Sequence, residues 1–301
     1  MSKTSKWILG ILATFLVFFG LCVLTVVSWI VAEPEDESTV TTGQRIALVE
    51  LKEPIYASED IVRQFKKYRE NNAIRAIVFR VETPGGDVAA SQEIYDEVRK
   101  TRSSGKPVVV SMGSIAASGG YYASCGATTI VANPGTLTGS IGVIFQIVHF
   151  RQLMDKLGID ETTIKSGKLK DSGSPFRKMT DEDKRYFQGL ITDVYDQFLH
   201  VVATERKMKV SEVRKYADGR VFTGRQAFEI GLVDTLGTLQ DAIEIAARLG
   251  RIKGEPKVVQ EHKGHSVFER LFGDPASEIS KMKNELTDQS VLQYKLTSPY
   301  Q

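Results

Sequence analysis

The chain has few cysteines and no excess of charge of either sign. Cys22 and Cys125 are the only two cysteines in its 301 residues, and the formal net charge at pH 7 is +2. Cys22 lies in a long apolar run and Cys125 in the predicted globular part, so the two thiols have no common environment in which to pair. No Cys/His metal spacing and no basic stripe between aromatics is present. We therefore expect no disulfide framework, no metal, no cofactor and no nucleic-acid partner.

Histidine, the commonest general base, is also scarce. The chain has four, His149, His200, His262 and His265. His200 lies in an amphipathic segment and the last two lie in a polar tail, which leaves His149 in an apolar run as the one candidate base. A lone histidine in such a run is more typical of the core.

A long uncharged run stands near the N-terminus. Residues 7–32 carry no charged side chain, and a membrane-spanning helix needs about 20 apolar residues. Lys3 and Lys6 precede the run and an acidic stretch follows it, so the positive-inside rule predicts a cytoplasmic N-terminus, residues 1–6. Everything after the span then lies on the outer or periplasmic side of the cytoplasmic membrane. A retained anchor is favoured over a cleaved signal peptide, because the run is long and the bulky Ile30 stands near its exit.

Alternating strand and helix patterns follow a predicted solvated tether, residues 33–44. Short runs rich in Val, Ile and Leu predict buried strands, and amphipathic segments between them predict helices, as in a mostly parallel sheet covered by helices. The predicted strands are residues 45–51, 74–81, 106–111 and 128–132. The predicted helices are residues 58–70, 88–100, 118–125, 180–204, 211–216, 225–230 and 239–249. We predict one α/β domain over residues 45–250 and a partly ordered C-terminal extension over residues 251–301.

Two turns that follow predicted strands have the composition of an oxyanion hole. Residues 82–87 contain a Pro-Gly-Gly turn, whose glycines permit unusual dihedrals and close approach of backbone N–H groups. Ser118 follows the next strand and begins a helix of small residues, which places its hydroxyl near unpaired N–H groups. Each turn alone is also typical of an ordinary turn or of tight helix packing. The hydrolase elbow Gly-x-Ser-x-Gly is absent around Ser118.

Lys170, in the segment of residues 165–171, offers Ser118 a base. A serine hydroxyl is a poor nucleophile until a neighbouring group takes its proton. Lysine does so only where desolvation or nearby positive charge lowers its pKa from about 10.4. Two Ser-x-x-Lys matches, which begin at Ser103 and Ser280, have polar surroundings that provide no such burial. The sequence therefore favours Lys170 as the base.

Five motifs together resemble one known family. They are residues 83–86, 111–122, 137–143, 164–171 and 218–227. Over residues 45–250 the chain resembles the signal peptide peptidase A group, in its short membrane-anchored form, of peptidase family S49. The resemblance implies a crotonase-like or ClpP-like fold, a spiral of ββα units. It also implies a serine endopeptidase that degrades cleaved signal peptides in or beside the membrane.

The resemblance assigns a role to each matching residue. Ser118 matches the nucleophile and Lys170 the general base. Gly86 and the N–H group of Gly119 match the oxyanion hole, and Ser140 matches a hydroxyl that orients the lysine.

The chain departs from the family pattern just before the Pro-Gly-Gly turn. Glu82 and Thr83 stand where the family has Asn and Ser. Because the hole uses backbone groups, we expect this change to adjust the rim of the site rather than abolish activity.

The resemblance also implies assembly. The family's members are similar in forming dome-like rings, in which the lysine is supplied across a protomer boundary. We therefore expect a homo-oligomeric ring that admits extended or unfolded peptides.

Two other functions fit parts of the sequence. A catalytically silent scaffold, anchored in the membrane and binding peptides, would have no reason to keep Ser118, Lys170 and Ser140 together. An acyl-CoA enzyme of the crotonase class would share the fold and an oxyanion hole. Such enzymes usually place carboxylates at the reacting carbon and work in the cytosol, so the sequence favours the peptidase.

Overall fold

The apolar runs predicted as strands form one largely parallel sheet. The computed structural model describes residues 7, 12, 14–22, 44–261 and 293–295. The strands are β1 (Arg45–Lys52), β2 (Ile74–Thr83), β3 (Gly85–Asp87), β4 (Val108–Ala117), β5 (Thr129–Ala132), β6 (Leu137–Gly139), β7 (Val221–Thr223), β8 (Thr235–Leu236), β9 (Lys257–Gln260) and β10 (Gln293–Lys295).

Eight of these strands belong to the main sheet. Its order is β7-β6-β4-β2-β1-β9, and β5 pairs with the first half of β4 and with β8. Every pairing in it is parallel except that of β6 with β7. β3 and β10 form a separate antiparallel pair.

Helices connect the strands and cover the sheet. They are α1 (Glu59–Glu70), α2 (Val88–Ser103), α3 (Gly119–Ser124), α4 (Arg151–Leu157), α5 (Asp181–Glu205), α6 (Val210–Val213), α7 (Gly224–Glu229) and α8 (Leu239–Leu249). Several begin at a threonine whose hydroxyl accepts the N–H group three residues on, as Thr180, Thr223 and Thr238 do. The predicted α/β class is confirmed.

Alternate residues of each strand face opposite cores. In β1, Ala47 and Val49 join the core beneath α1, α2, α3 and α5, whereas Ile46 and Leu48 join the core closed by α8. Both faces of the parallel strands are therefore buried, which explains why they are continuous apolar runs in the sequence.

Short elements account for most differences from the predicted structure. β3, β6, β7, β8 and α4 have two to seven residues, too few for a periodic pattern. β4 extends to Ala117, well past the predicted end at residue 111, because residues 115–117 pair with β6. The extension carries the strand up to Ser118.

The sheet also continues past residue 250, where the domain was predicted to end. β9 lies in the predicted C-terminal extension and pairs with β1 at the edge of the main sheet. Its only apolar residues are Val258 and Val259, and polar residues flank them, so the sequence pattern does not predict a strand there.

The predicted membrane anchor, residues 7–32, lies largely outside the described residues. Residues 14–22 are helical and belong to a different unit from residues 44–261 and 293–295. Within the part of the chain that is described, no helix is long and apolar enough to cross a membrane. Residues 1–6 and nearly all of the tether are outside the described ranges. The anchor stays a prediction.

The packing of the main core can be tested at Phe79. Its side chain is fully buried and its ring packs edge-on against Phe65, with 5.1 Å between centroids. Phe79→Ala is expected to lower the free energy of unfolding by about 3–5 kcal/mol, because a cavity remains between sheet and helix. Urea denaturation measures this. Phe228→Ala, at a side chain 46% exposed, is the control and is expected to cost under about 0.5 kcal/mol. Equal losses in both variants would contradict the assigned core.

Candidate active site

Ser118 lies at a strained junction between β4 and α3. Its φ is +54° and its ψ is −115°, a combination that residues with a side chain rarely adopt. The strain is held by two backbone hydrogen bonds of 2.8 Å: Ser118 N–H donates to Gly139 C=O, and Tyr122 N–H donates to Ser118 C=O.

The Ser118 hydroxyl is buried and makes no hydrogen bond to any described residue. The residue is 1% exposed, and among the described residues its Oγ has no hydrogen-bond partner. Leaving a buried polar atom unpaired costs about 1–3 kcal/mol, so such atoms are uncommon and are often found where a reactive group must be kept free.

The backbone of β3 lies directly against the start of α3. A Cβ atom placed on Gly119 would lie 3.3 Å from the backbone nitrogen of Gly86, and one placed on Gly85 would lie 2.7 Å from the backbone nitrogen of Gly119. Side chains would prevent this approach. Gly86 and Gly119, the two predicted oxyanion-hole residues, are thus brought together beside Ser118.

β3 is positioned by the turn that precedes it and by a neighbouring segment. The Gly85 N–H donates to Thr83 Oγ1 at 3.1 Å, and Gly85 itself has a φ of +99°, which favours glycine. On the next segment, Ile55 N–H donates to Gly85 C=O at 2.9 Å and Asp87 N–H donates to Ile55 C=O at 2.7 Å. Thr83 therefore stabilises the turn with its hydroxyl, while the side chain of Glu82 lies against Gly113 of β4.

Ser140 lies at the end of the strand next to β4. Ala117 pairs with Gly139, so Ser118 and Ser140 each follow one member of a parallel pair. Because the carboxyl ends of parallel strands share one edge of a sheet, the two serines are neighbours there. Ser140 is 5% exposed, has a φ of +51°, and its N–H donates to Arg220 C=O at 2.9 Å.

Lys170 is not joined to these residues within one chain. It lies in residues 144–179, which we call the arm, and its side chain is exposed. Since Ser118 Oγ has no partner among the described residues, the Lys170 ammonium is not within hydrogen-bonding distance of it. Within one chain, four of the five predicted site residues lie at the same edge of the sheet, namely Gly86, Ser118, Gly119 and Ser140. The fifth, Lys170, is exposed to solvent.

An ion-pair network fixes the backbone next to Lys170. Asp171 accepts hydrogen bonds from Arg177 Nε at 3.0 Å and from Lys165 Nζ at 2.6 Å, and Arg177 Nη1 also donates to Asp183 at 2.6 Å. These bonds, that of Arg177 first, lower the pKa of Asp171 to about 2. Arg177 likewise lowers the pKa of Asp183, which lies in the first turn of α5. The residue beside Lys170 is therefore tied to a long helix.

An aromatic cluster lies one turn beyond Ser118. The ring of Tyr122 packs against Tyr95, Phe198 and Tyr294, with centroid distances of 5.3, 4.9 and 5.2 Å. Tyr294, on β10, is fully buried. Sequence patterns missed it, because one tyrosine in a polar tail without periodicity gives no signal of burial beside the site.

Two minor expectations have different outcomes. Cys125 is buried as predicted, and burial raises the pKa of its thiol to about 12. His149, for which the apolar neighbours favoured a core position, is exposed on the arm instead, so that expectation was wrong.

Known proteins are similar to this chain over most of its length. The model of the Peptidase family S49 matches residues 100–253, and that of the Clp protease family matches residues 39–136. The putative protease slr0021 of Synechocystis sp. is 42% identical over 250 residues, which cover 82% of this chain and 89% of that protein. The putative signal peptide peptidase SppA of Enterococcus faecium is 40% identical over 236 residues, 78% of this chain and 69% of that protein.

A solved structure is similar as well. It is a ClpP1 mutant from Listeria monocytogenes, 16% identical, with a TM-score of 0.45 over 65% of this chain and 94% of that chain.

The ion-pair network of the arm predicts a pH dependence. The pKa of Asp171 is lowered to about 2, so its contribution to stability is complete above the usual value near 3.9 and is lost as pH falls through about 2. Arg177→Met is expected to return the Asp171 pKa toward its usual value, so that the carboxyl titrates at a higher pH in a carboxyl-carbon NMR titration.

The matched control is Arg214→Met. Arg214 forms an exposed ion pair with Asp196, outside the arm, at 3.1 Å. Its removal is expected to leave the titration of Asp171 unchanged. An Asp171 carboxyl that titrates at the same pH with and without Arg177 would show that the network does not form in solution.

Proposed function

Because the chain belongs to peptidase family S49 and is a serine peptidase with a ClpP-like α/β fold, we propose that it is a Ser-Lys endopeptidase, with Ser118 as nucleophile and Lys170 as general base. The family predicted from the sequence is thereby confirmed, and a peptidase is favoured over the acyl-CoA enzyme and the silent scaffold. The observation that carries the proposal is the buried hydroxyl of Ser118, which has no hydrogen-bond partner among the described residues and is held at a strained backbone position beside the Gly86 and Gly119 backbone.

The proposed reaction begins with proton transfer from Ser118. The neutral amine of Lys170 takes the Oγ proton as Oγ attacks the carbonyl carbon of the peptide bond. The negative charge that develops on the carbonyl oxygen is stabilised by the N–H groups of Gly86 and Gly119. The Lys170 ammonium then protonates the departing amine, which leaves an acyl ester on Ser118.

Hydrolysis of the ester repeats the same proton transfers with water. Lys170 takes a proton from the attacking water, and the second tetrahedral intermediate expels Ser118 Oγ, which regains its proton. In this proposal the Ser140 hydroxyl hydrogen-bonds the lysine and directs it toward Ser118. Its place at the neighbouring strand end supports that role.

We further propose that Lys170 acts on Ser118 of a neighbouring protomer. A lysine base must be shielded from water, yet the arm of a single chain is open to solvent. α4 buries none of its residues, and the exposed apolar side chains of the arm include Val148, Phe150, Leu153, Leu157, Ile159, Ile164, Leu169 and Phe176. An exposed apolar surface of this extent is typical of an interface between proteins. A homo-oligomeric ring would cover it and desolvate the lysine.

The proposed substrates are peptides, above all cleaved signal peptides and unfolded segments. The name of the Enterococcus faecium relative, a putative signal peptide peptidase, supports this choice. We propose that residues 7–32 anchor the chain in the cytoplasmic membrane with the N-terminus inside. The peptidase domain then stands on the outer or periplasmic side, where released signal peptides remain in the adjacent bilayer.

Removal of either dyad residue tests the mechanism. Ser118→Ala and Lys170→Ala are each expected to lower hydrolysis of a Leu/Ala-rich signal peptide by at least about 10³-fold, because nucleophile and base act as a unit. Chromatographic detection of the fragments measures this, and circular dichroism checks the fold. Lys66→Ala, on the exposed face of α1 and outside the arm, is the control and is expected to keep activity. Near-normal turnover in a folded Ser118→Ala or Lys170→Ala variant would overturn the assignment.

Mixing the two inactive variants tests whether the dyad crosses protomers. If Ser118 of one chain works with Lys170 of the next, randomly mixed oligomers regain about a quarter of wild-type activity, since each partner is the right variant half of the time. Mass photometry would establish that mixed oligomers form. Mixed oligomers without recovered activity would place both residues of each dyad in one chain.

A further inference from the structure

We propose that a basic cavity at the edge of the main sheet opposite Ser118 binds a phosphate group, carried by the headgroup of an anionic lipid or by a free phosphate. The cavity has a volume of about 610 Å³. None of the residues that line it is acidic, and four are basic: Arg69, Arg75, Lys106 and Arg251. The whole chain has 39 basic and 37 acidic residues, so this local excess of positive charge does not follow from the composition.

The cavity lies at the amino ends of the central strands. Ile74, the first residue of β2, and Pro107, which precedes β4, both line it. β2 and β4 are parallel, so their amino ends share one edge of the sheet, and Ser118, which follows β4, lies at the other. A ligand in this cavity does not compete with a peptide at Ser118. The inference is therefore independent of the proposed function.

Lys106 supplies a fixed positive charge. Its ammonium group donates hydrogen bonds to the C=O groups of Tyr68 at 2.5 Å, Arg69 at 2.9 Å and Asn71 at 2.8 Å, at the C-terminal end of α1. An ammonium group has three N–H donors, so Lys106 attracts an anion by its charge alone. Burial first, and then Arg75 and Arg69, lower the pKa of Lys106 to about 8. A bound anion relieves this repulsion between cations.

Arg75 and Arg251 have guanidinium groups that are free to bind a ligand. Arg75 makes one hydrogen bond within the described residues, from Nε to Gly250 C=O at 3.5 Å, and the side chain of Arg251 makes none there. Both side chains are exposed, and neither is in an ion pair with a described residue. Arg69, in contrast, is paired with Glu97. The N–H fork of a guanidinium group fits two oxygens of a phosphate.

The backbone at Arg251 favours glycine. Arg251 has a φ of +55° and follows Gly250, the residue that caps α8. Helices commonly end with glycine in this left-handed conformation, because a Cβ atom is strained there. An arginine at such a position indicates a role for its side chain, since the backbone alone would be more stable with glycine.

The ends of helices account for only part of the positive charge. α1, α2 and α8 all end at this edge, and the carbonyl end of a helix carries a partial negative charge. Lys106 donates directly to the last carbonyls of α1. The bond from Arg75 to Gly250 is at the limit of hydrogen-bond length, and Arg251 donates to no described carbonyl. These two arginines are left for an anion from outside the chain.

The chain enters the domain at the same edge. β1 begins at Arg45, which lies opposite Ile74 of the cavity wall. The predicted tether and membrane anchor precede Arg45 in the sequence. One source of phosphate is therefore the headgroup of an anionic lipid in that membrane, and the other is a free phosphate in solution.

Calorimetric titration of the full chain in a neutral detergent tests the site. The probes are inorganic phosphate and dihexanoyl phosphatidylglycerol, an anionic lipid used below its micellar concentration. Both are expected to bind, and to bind more weakly as salt is added. Arg75→Gln and Arg251→Gly are each expected to weaken binding at least about tenfold, because each removes hydrogen bonds to a charged group. Arg185→Gln, at an exposed arginine of α5, is the matched control and is expected to bind like the parent.

The two probes distinguish the sources. Tighter binding of the anionic lipid identifies a headgroup as the ligand, and tighter binding of inorganic phosphate identifies a free phosphate; either result supports the site. Dihexanoyl phosphatidylcholine, which has the same acyl chains and no net charge, is the control. Equal binding of both lipids, with no binding of inorganic phosphate, would show that the acyl chains carry the affinity and would overturn the inference.

The melting temperature of Arg251→Gly separates binding from stability. Because the φ of Arg251 favours glycine, this variant is expected to keep or raise the melting temperature while it loses affinity for phosphate. If the cations only stabilise helix ends, the melting temperature falls and the parent protein binds neither probe. That result would contradict the inference, as would probe binding that is unchanged in both Arg75→Gln and Arg251→Gly.

Discussion

The close approach of two backbones, β3 and the start of α3, is the constraint on which the rest of the site depends. A Cβ atom has no room at Gly85, where it would meet Gly119 N, at Gly86, where it would meet the Ile55 backbone, or at Gly119, where it would meet Ser91 Oγ. The approach is possible because β2 and β4 are parallel neighbours whose carboxyl ends deliver both turns to the same edge of the sheet. Both faces of the sheet are buried, which holds the strand ends in place. Ser118 is therefore kept in its strained backbone conformation with a positive φ.

The proposed mechanism also requires a desolvated lysine, which the single chain does not supply. The fold buries the nucleophile but leaves the arm with its lysine in solvent. Arg177 of the arm forms ion pairs with Asp171, next to Lys170, and with Asp183 of α5, which ties the backbone beside the lysine to that helix. The division suggests why assembly and activity would be coupled: one surface of the protein holds the reacting carbonyl, and another, carried by the next protomer, supplies the proton acceptor.

Sequence patterns predicted the parts of the fold that are long and periodic. The buried strands around Ile77 and Val110 and the long helix α5 follow directly from apolar runs and caps. The site residues Gly86, Ser118 and Gly119 could be singled out because tight turns need glycine and small residues. β10 could not be predicted, since its pairing with β3 is a contact between segments far apart in sequence, and a single tyrosine supplies its burial. The exposure of the arm could not be predicted either, because exposed apolar residues give the same pattern in a sequence as buried ones.

Activation of Ser118 by Lys170 can be measured by labelling the protein with a fluorophosphonate, followed by mass spectrometry of its peptides. A single adduct is expected, on Ser118, and its rate of formation is expected to fall at least about 100-fold in Lys170→Ala. An adduct on a different serine, or an equal rate of Ser118 labelling with and without the lysine, would contradict it.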